Sequence, residues 1–142
     1  MRITTVLFAI TAACAAIPST SSMAAQVEWE GTYVDHCVSS RATCSFDVKR
    51  AGRGYKLTWV ANDRTGQDRY CRFTADLVPA TSETIRKHLG RALIGSVAGG
   101  GASVLLTVDG DRAILKTTGG HCRSPVGQID PAGRYDREYI DY

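Results

Sequence analysis

Neither Cys-x-x-Cys nor His-x-x-x-His occurs in this 142-residue chain, so the usual sequence frames of a zinc site are missing. Gly-x-Ser-x-Gly is absent too: Gly95-Ser96 lacks that spacing and lies in an apolar stretch, which makes Ser96 a packing residue rather than an activated nucleophile. No Lys-Ser/Thr pair directly follows Gly99-Gly100-Gly101, which argues against a phosphate loop. Carboxylates occur singly, and Asp109-Gly110-Asp111 lacks the further oxygen ligands of a calcium loop, so it reads as a turn. Charge of one sign is also scarce. The 17 basic and 14 acidic residues nearly balance, which by itself argues for neither nucleic acid nor a membrane surface.

The N-terminus reads MRITTVLFAITAACAAIPSTSSMAA, with Arg2 as its one charge, an apolar run from Val6 to Ile17 and a polar Pro18–Ser22 stretch. That is the order of parts in a secretory signal, expected over residues 1–24 with cleavage after Ala24. The run is shorter than the roughly 18 residues of a spanning helix, so no transmembrane segment is expected in the mature chain. Thr11-Ala12-Ala13-Cys14 loosely resembles a lipobox without its usual Leu, which leaves a lipid anchor at Cys14 as the less favoured alternative.

Export changes the reading of the cysteines. Once Cys14 is set aside, Cys37, Cys44, Cys71 and Cys122 form an even set, which in an oxidising compartment reads as two disulfides. Three pairings exist. Cys44 with Cys71 and Cys37 with Cys122 is the preferred one, because the latter ties the start of the domain to its end; the local pair Cys37 with Cys44 is the alternative. Paired sulfurs are not poised thiolates, and this removes cysteine chemistry from the candidate functions.

Alternation of apolar and polar residues dominates the domain, expected over residues 25–128. Trp29–Val34 reads as a short strand, and Cys44, Phe46 and Val48 share one face of the next. Beyond the turn at Arg50–Gly54, Tyr55, Leu57 and Trp59 line a second strand, completing a hairpin; Cys71, Phe73, Ala75 and Leu77 line a third. Ile85, Leu89, Ala92, Leu93 and Val97 recur at three- and four-residue spacing behind the capping candidates Thr81 and Ser82. They predict one helix ending either at Gly90 or near Ala98. Asp109-Gly110 between two apolar runs marks another hairpin. Residues 129–142 are expected to be a polar, Tyr-rich tail, with a short helix sharing Tyr135, Tyr139 and Tyr142 on one face as the alternative. The fold class is mainly β (α+β): a small antiparallel sheet or barrel with one helix, stapled by two disulfides.

Two groups of residues carry what chemistry there is. A Cys37–Cys122 bond would bring His36 and His121 together as a metal or acid–base pair, although His36, His88 and His121 are otherwise scattered. The stronger feature is basic: Lys49, Arg50, Arg53 and Lys56 flank the first hairpin turn, Arg69 and Arg72 the next connection, with Tyr55 and Tyr70 interleaved. Such an edge suits an anionic glycan, lipid head group or nucleic acid, or the acidic lip of a protein. The competing reading is that these cations blunt exposed strand edges.

Size, export and β content are shared with small periplasmic lysozyme inhibitors, but the Ser-Gly-x-x-Tyr loop of that group is absent, and no membership follows. The functional expectation is a secreted or periplasmic, non-catalytic and cofactor-free module that binds or inhibits another exported protein. Binding of an anionic polymer is the second expectation, and an enzyme or metal site at His36 and His121 the third.

Overall fold

The computed structural model describes residues 28–35, 37, 41–119 and 122–139. The expected leader at 1–24, Cys14, His36, His121 and Tyr142 lie outside these described residues.

β1 (Gly31–Asp35), β2 (Ala42–Ala51), β3 (Gly54–Asp63) and β4 (Arg69–Pro79) form an antiparallel meander. The short helix α1 (Glu83–Leu89) leads into β5 (Ala92–Val97), β6 (Ser103–Asp109) and β7 (Arg112–Thr118). A small two-stranded sheet, β8 (Cys122–Ser124) with β9 (Gly127–Ile129), precedes β10 (Gly133–Glu138). β10 pairs with both β7 and β1, so eight strands close into an up-and-down barrel. The mainly β class with one helix and two disulfides is therefore the architecture observed, in its barrel form.

Register explains how so narrow a barrel fills. Tyr33, Phe46, Leu57, Trp59, Leu77, Leu93, Leu106, Leu115 and Tyr135 all point inward and are buried. Large inward residues face small ones across the strands: Tyr135 opposes Ala113, Leu115 opposes Gly133, and Leu77 opposes Gly95. An interior of eight strands has room only for such alternation. At Gly95 the approach is extreme, since a Cβ there would lie 1.9 Å from the Asp76 carbonyl oxygen. Asp47, Lys56, Arg72, Asp76, Lys116 and Asp136 point outward, together with the apolar Val78, Ile94, Leu105 and Ile114, so the outer wall is mixed while the interior is apolar. No helix among the described residues is long and apolar enough to cross a membrane.

One open alternative is decided and two expectations are corrected. The helix does not continue to Ala98: it ends at Leu89, where Gly90 adopts φ 69°, and Ala92–Val97 is a strand. Leu89, Leu93 and Val97 are four apart, a spacing that belongs to an alternating strand as well as to a helix. The polar tail from residue 129 does not form as such, because Gly133–Glu138 is the strand that closes the barrel, with Tyr135 only 2% exposed. The disulfides are Cys37–Cys44 and Cys71–Cys122 rather than the preferred pairing. Ala61 of β3 stands opposite both Cys44 and Cys71. Two strand spacings of about 4.8 Å therefore separate those cysteines, beyond the roughly 7 Å that a disulfide can bridge. Without Cys37–Cys122, the premise that brings His36 to His121 is gone.

Candidate functional site

The barrel has two unlike ends. At the hairpin end lie the β2–β3 turn, α1 and the β6–β7 turn; at the staple end lie both disulfides, the Gly99–Gly101 loop and the β8–β9 hairpin.

The hairpin end is plugged by polar and aromatic side chains. Arg137, inward on β10, donates through its guanidinium to the Tyr33 hydroxyl (2.7 Å), to the Glu28 carbonyl (2.6 Å) and to the Glu28 carboxylate (3.2 Å). The Tyr33 hydroxyl donates in turn to the Trp29 carbonyl at 3.2 Å, and burial raises its pKa despite the opposing Arg137. Arg50 and Tyr55 complete the plug. The Arg50 guanidinium donates to the Tyr55 hydroxyl at 2.8 Å and lies 5.0 Å over its ring, while Trp29 packs 6.5 Å from Tyr55.

The staple end is open. A cavity of about 390 Å³ enters the barrel there and reaches Phe73. Behind Phe73 stands Trp59, stacked on it at 5.2 Å and 19° and itself fully buried. Trp59 is held in place through its indole N–H, which donates to the Tyr135 hydroxyl at 2.9 Å; that hydroxyl donates to the Pro131 carbonyl at 2.7 Å. Burial drives the Tyr135 phenol far above the usual tyrosine range, so it stays protonated and serves as a structural hydrogen-bonding group rather than an acid. Val97, Thr117 and Pro131 line the sides, and the Cys71–Cys122 disulfide anchors β8 at the rim.

Glycine shapes the rest of that rim. Gly99, Gly100 and Gly101 take φ 94°, 85° and 88°, a left-handed stretch closed to most side chains. A Cβ on Gly119 would lie 2.7 Å from the Gly101 carbonyl oxygen, so the β5–β6 and β7–β8 connections meet backbone to backbone.

The eight residues of the basic feature do not share one surface. The ten residues of β3 rise about 3.3 Å each, putting roughly 30 Å between the β2–β3 turn and the β3–β4 connection. Lys49, Arg50, Arg53, Tyr55 and Lys56 fall at the hairpin end, and Arg69, Tyr70 and Arg72 at the staple end. Arg50 is engaged with Tyr55, and Lys56 approaches Asp76 at 3.9 Å. Only Arg72 of the eight lines the cavity, and Arg123 on β8 joins it there. Because the barrel is closed, these cations have no barrel edge to blunt.

Sequence reasoning missed Phe73, Trp59 and Arg123 as a group. The alternation marks Trp59 and Phe73 as inward, yet nothing in it says which end of the barrel stays unfilled. Among the described residues no three His, Cys, Asp or Glu side chains come together where they could hold a metal ion.

No family model, curated protein or solved structure matches the chain. What the site can do rests on its own geometry: an apolar recess floored by an aromatic ring, with Arg72, outward on β4, and Arg123 among the residues that line it.

Proposed function

We propose that the chain is an exported, non-catalytic binding barrel that captures a small, largely apolar guest in its staple-end cavity. The observation that carries this reading is the cavity of about 390 Å³ that reaches the inward rings of Phe73 and Trp59, whereas the hollows of about 410 Å³ beside α1 and about 370 Å³ against Val34, Ser45 and Asp136 do not reach them. Its size falls within the roughly 300–1,000 Å³ of small-molecule sites, and barrel mouths are a recurrent place for them. Phe73 rests on Trp59, which the Tyr135 hydroxyl fixes, so the floor is ordered before a guest arrives.

Export is supported by the leader pattern at residues 1–24 and by two disulfides in a small domain. Protein binding, the leading expectation from sequence, finds less support on the wall. The outward apolar residues make only a short row, Val78, Ile94 and Leu105 across β4, β5 and β6, with Ile94 and Leu105 half-buried, while Val34 on β1 and Ile114 on β7 are separated by the charged Arg134 and Asp136 of β10. A partner protein would have to insert a side chain into the same cavity.

Fluorescence titration with N-phenylnaphthylamine, a neutral aromatic probe, tests the proposal. Saturable binding is expected in the native protein and its loss in Ala102→Trp, which fills the cavity from the rim. Absence of saturable binding, or undiminished binding by a folded Ala102→Trp protein, contradicts the reading.

A further inference from the structure

We infer that the guest of the staple-end cavity is an aromatic or other flat apolar body bearing one anionic group, gripped between Arg72 and Arg123. This rests on the binding reading above and narrows it to a ligand class.

The two arginines owe their positions to one covalent link. Arg72 follows Cys71 on β4 and Arg123 follows Cys122 on β8, so the Cys71–Cys122 disulfide sets both guanidinium-bearing residues at the same lip. Both are exposed and both line the cavity, while no Asp or Glu does. Neither has a carboxylate partner among the described residues. By contrast, Arg137 pairs with Glu28, Arg112 with Asp136 and Lys56 with Asp76. The cavity thus offers two uncompensated positive charges beside an apolar floor.

Its chemistry sorts guests by shape and sign. The Phe73 face and the sides formed by Val97 and Pro131 favour a flat apolar body. A carboxylate, sulfate, sulfonate or phosphate on that body would meet planar N–H forks suited to paired hydrogen bonds with such oxygens. A cationic guest would meet like charge at the lip. A guest with no charge would use the floor and leave both arginines to water. The volume, near the lower end of the small-molecule range, limits the body to about two fused or linked rings.

A paired-probe titration tests this. Anilinonaphthalene sulfonate and N-phenylnaphthylamine share the same aromatic body, and only the first carries an anion. The native protein, with both disulfides intact, is expected to bind the sulfonate on the order of tenfold more tightly. That preference should shrink in about 0.5 M NaCl, because the lip is exposed. In Arg72→Gln/Arg123→Gln the ratio of the two affinities should fall to near one. In the matched control at the opposite end, Arg86→Gln/Arg91→Gln, the ratio should persist.

Equal binding of both probes by the native protein overturns the ligand class while leaving the cavity reading in place. So does a sulfonate preference that survives in the Arg72/Arg123 variant or disappears in the Arg86/Arg91 variant. Failure of both probes to bind the folded native protein overturns the cavity reading itself.

Discussion

Replacing Tyr135 with Phe removes one oxygen atom and should cost far more stability than an ordinary surface change. The Tyr135 hydroxyl accepts from the Trp59 indole at 2.9 Å and donates to the Pro131 carbonyl at 2.7 Å, all within the buried interior. The variant leaves one buried donor and one buried acceptor without partners, at about 1–3 kcal/mol each. Some relaxation of the Pro131 segment offsets part of this, giving an expected loss of about 3 kcal/mol. Urea unfolding followed by far-ultraviolet circular dichroism, disulfides intact, measures it directly. The comparison is Tyr139→Phe, which removes an exposed hydroxyl bonded to Asp111 and should change stability by less than about 0.5 kcal/mol. If Tyr135→Phe is as mild as Tyr139→Phe, the interior bond between β10 and β3 does not exist, and residues 133–138 belong to a solvated tail after all.

Three further outcomes follow from the same geometry. The Cys71–Cys122 bond closes 51 residues and the Cys37–Cys44 bond closes 7; loop-closure entropy then assigns about 4 kcal/mol to the first and about 2 kcal/mol to the second. Paired Cys→Ser replacement should reproduce that order in denaturant, and peptide mapping of unreduced protein should recover these two links. Tyr135 has a folded-state pKa above its unfolded value near 10.0, so its proton is held longer in the folded chain. Its effect on stability is constant below that value, and stability then falls by about 1.4 kcal/mol per pH unit as pH rises beyond it. Tyr33 shifts in the same direction, and the fall should flatten in Tyr135→Phe. For the expected export route, the intact mass of the envelope form should correspond to a chain starting at Ala25; a lipidated start at Cys14 would contradict the cleavage assignment.

Strands with apolar inward residues were the legible part of the fold. Cys44, Phe46 and Val48 on β2 and Leu57 and Trp59 on β3 alternate cleanly, as do the runs flanking Asp109-Gly110, and each became a barrel strand. β10 escaped because its inward positions are Gly133, Tyr135 and Arg137, so only Tyr135 reads as core. Its polarity has a structural cause: Arg137 plugs the hairpin end, and its Glu28 partner lies 109 residues away, a pairing no local pattern reveals. The site was illegible for a related reason. Closure carries the β2–β3 turn and the start of β4 to opposite ends, which splits the basic cluster. It also brings Arg123 beside Arg72 through a disulfide spanning 51 residues. Charge proximity along a chain predicts little once strands of ten residues separate successive turns.

Amide chemical-shift mapping of the isotopically labelled protein during titration with N-phenylnaphthylamine tests the central claim most directly. The account predicts saturable shifts at Phe73, Val97, Gly100, Gly101, Ala102 and Thr117, with Arg50, Arg53 and Lys56 at the hairpin end unmoved. Shifts centred on the β2–β3 turn, or none at the staple end at saturating probe, would contradict it.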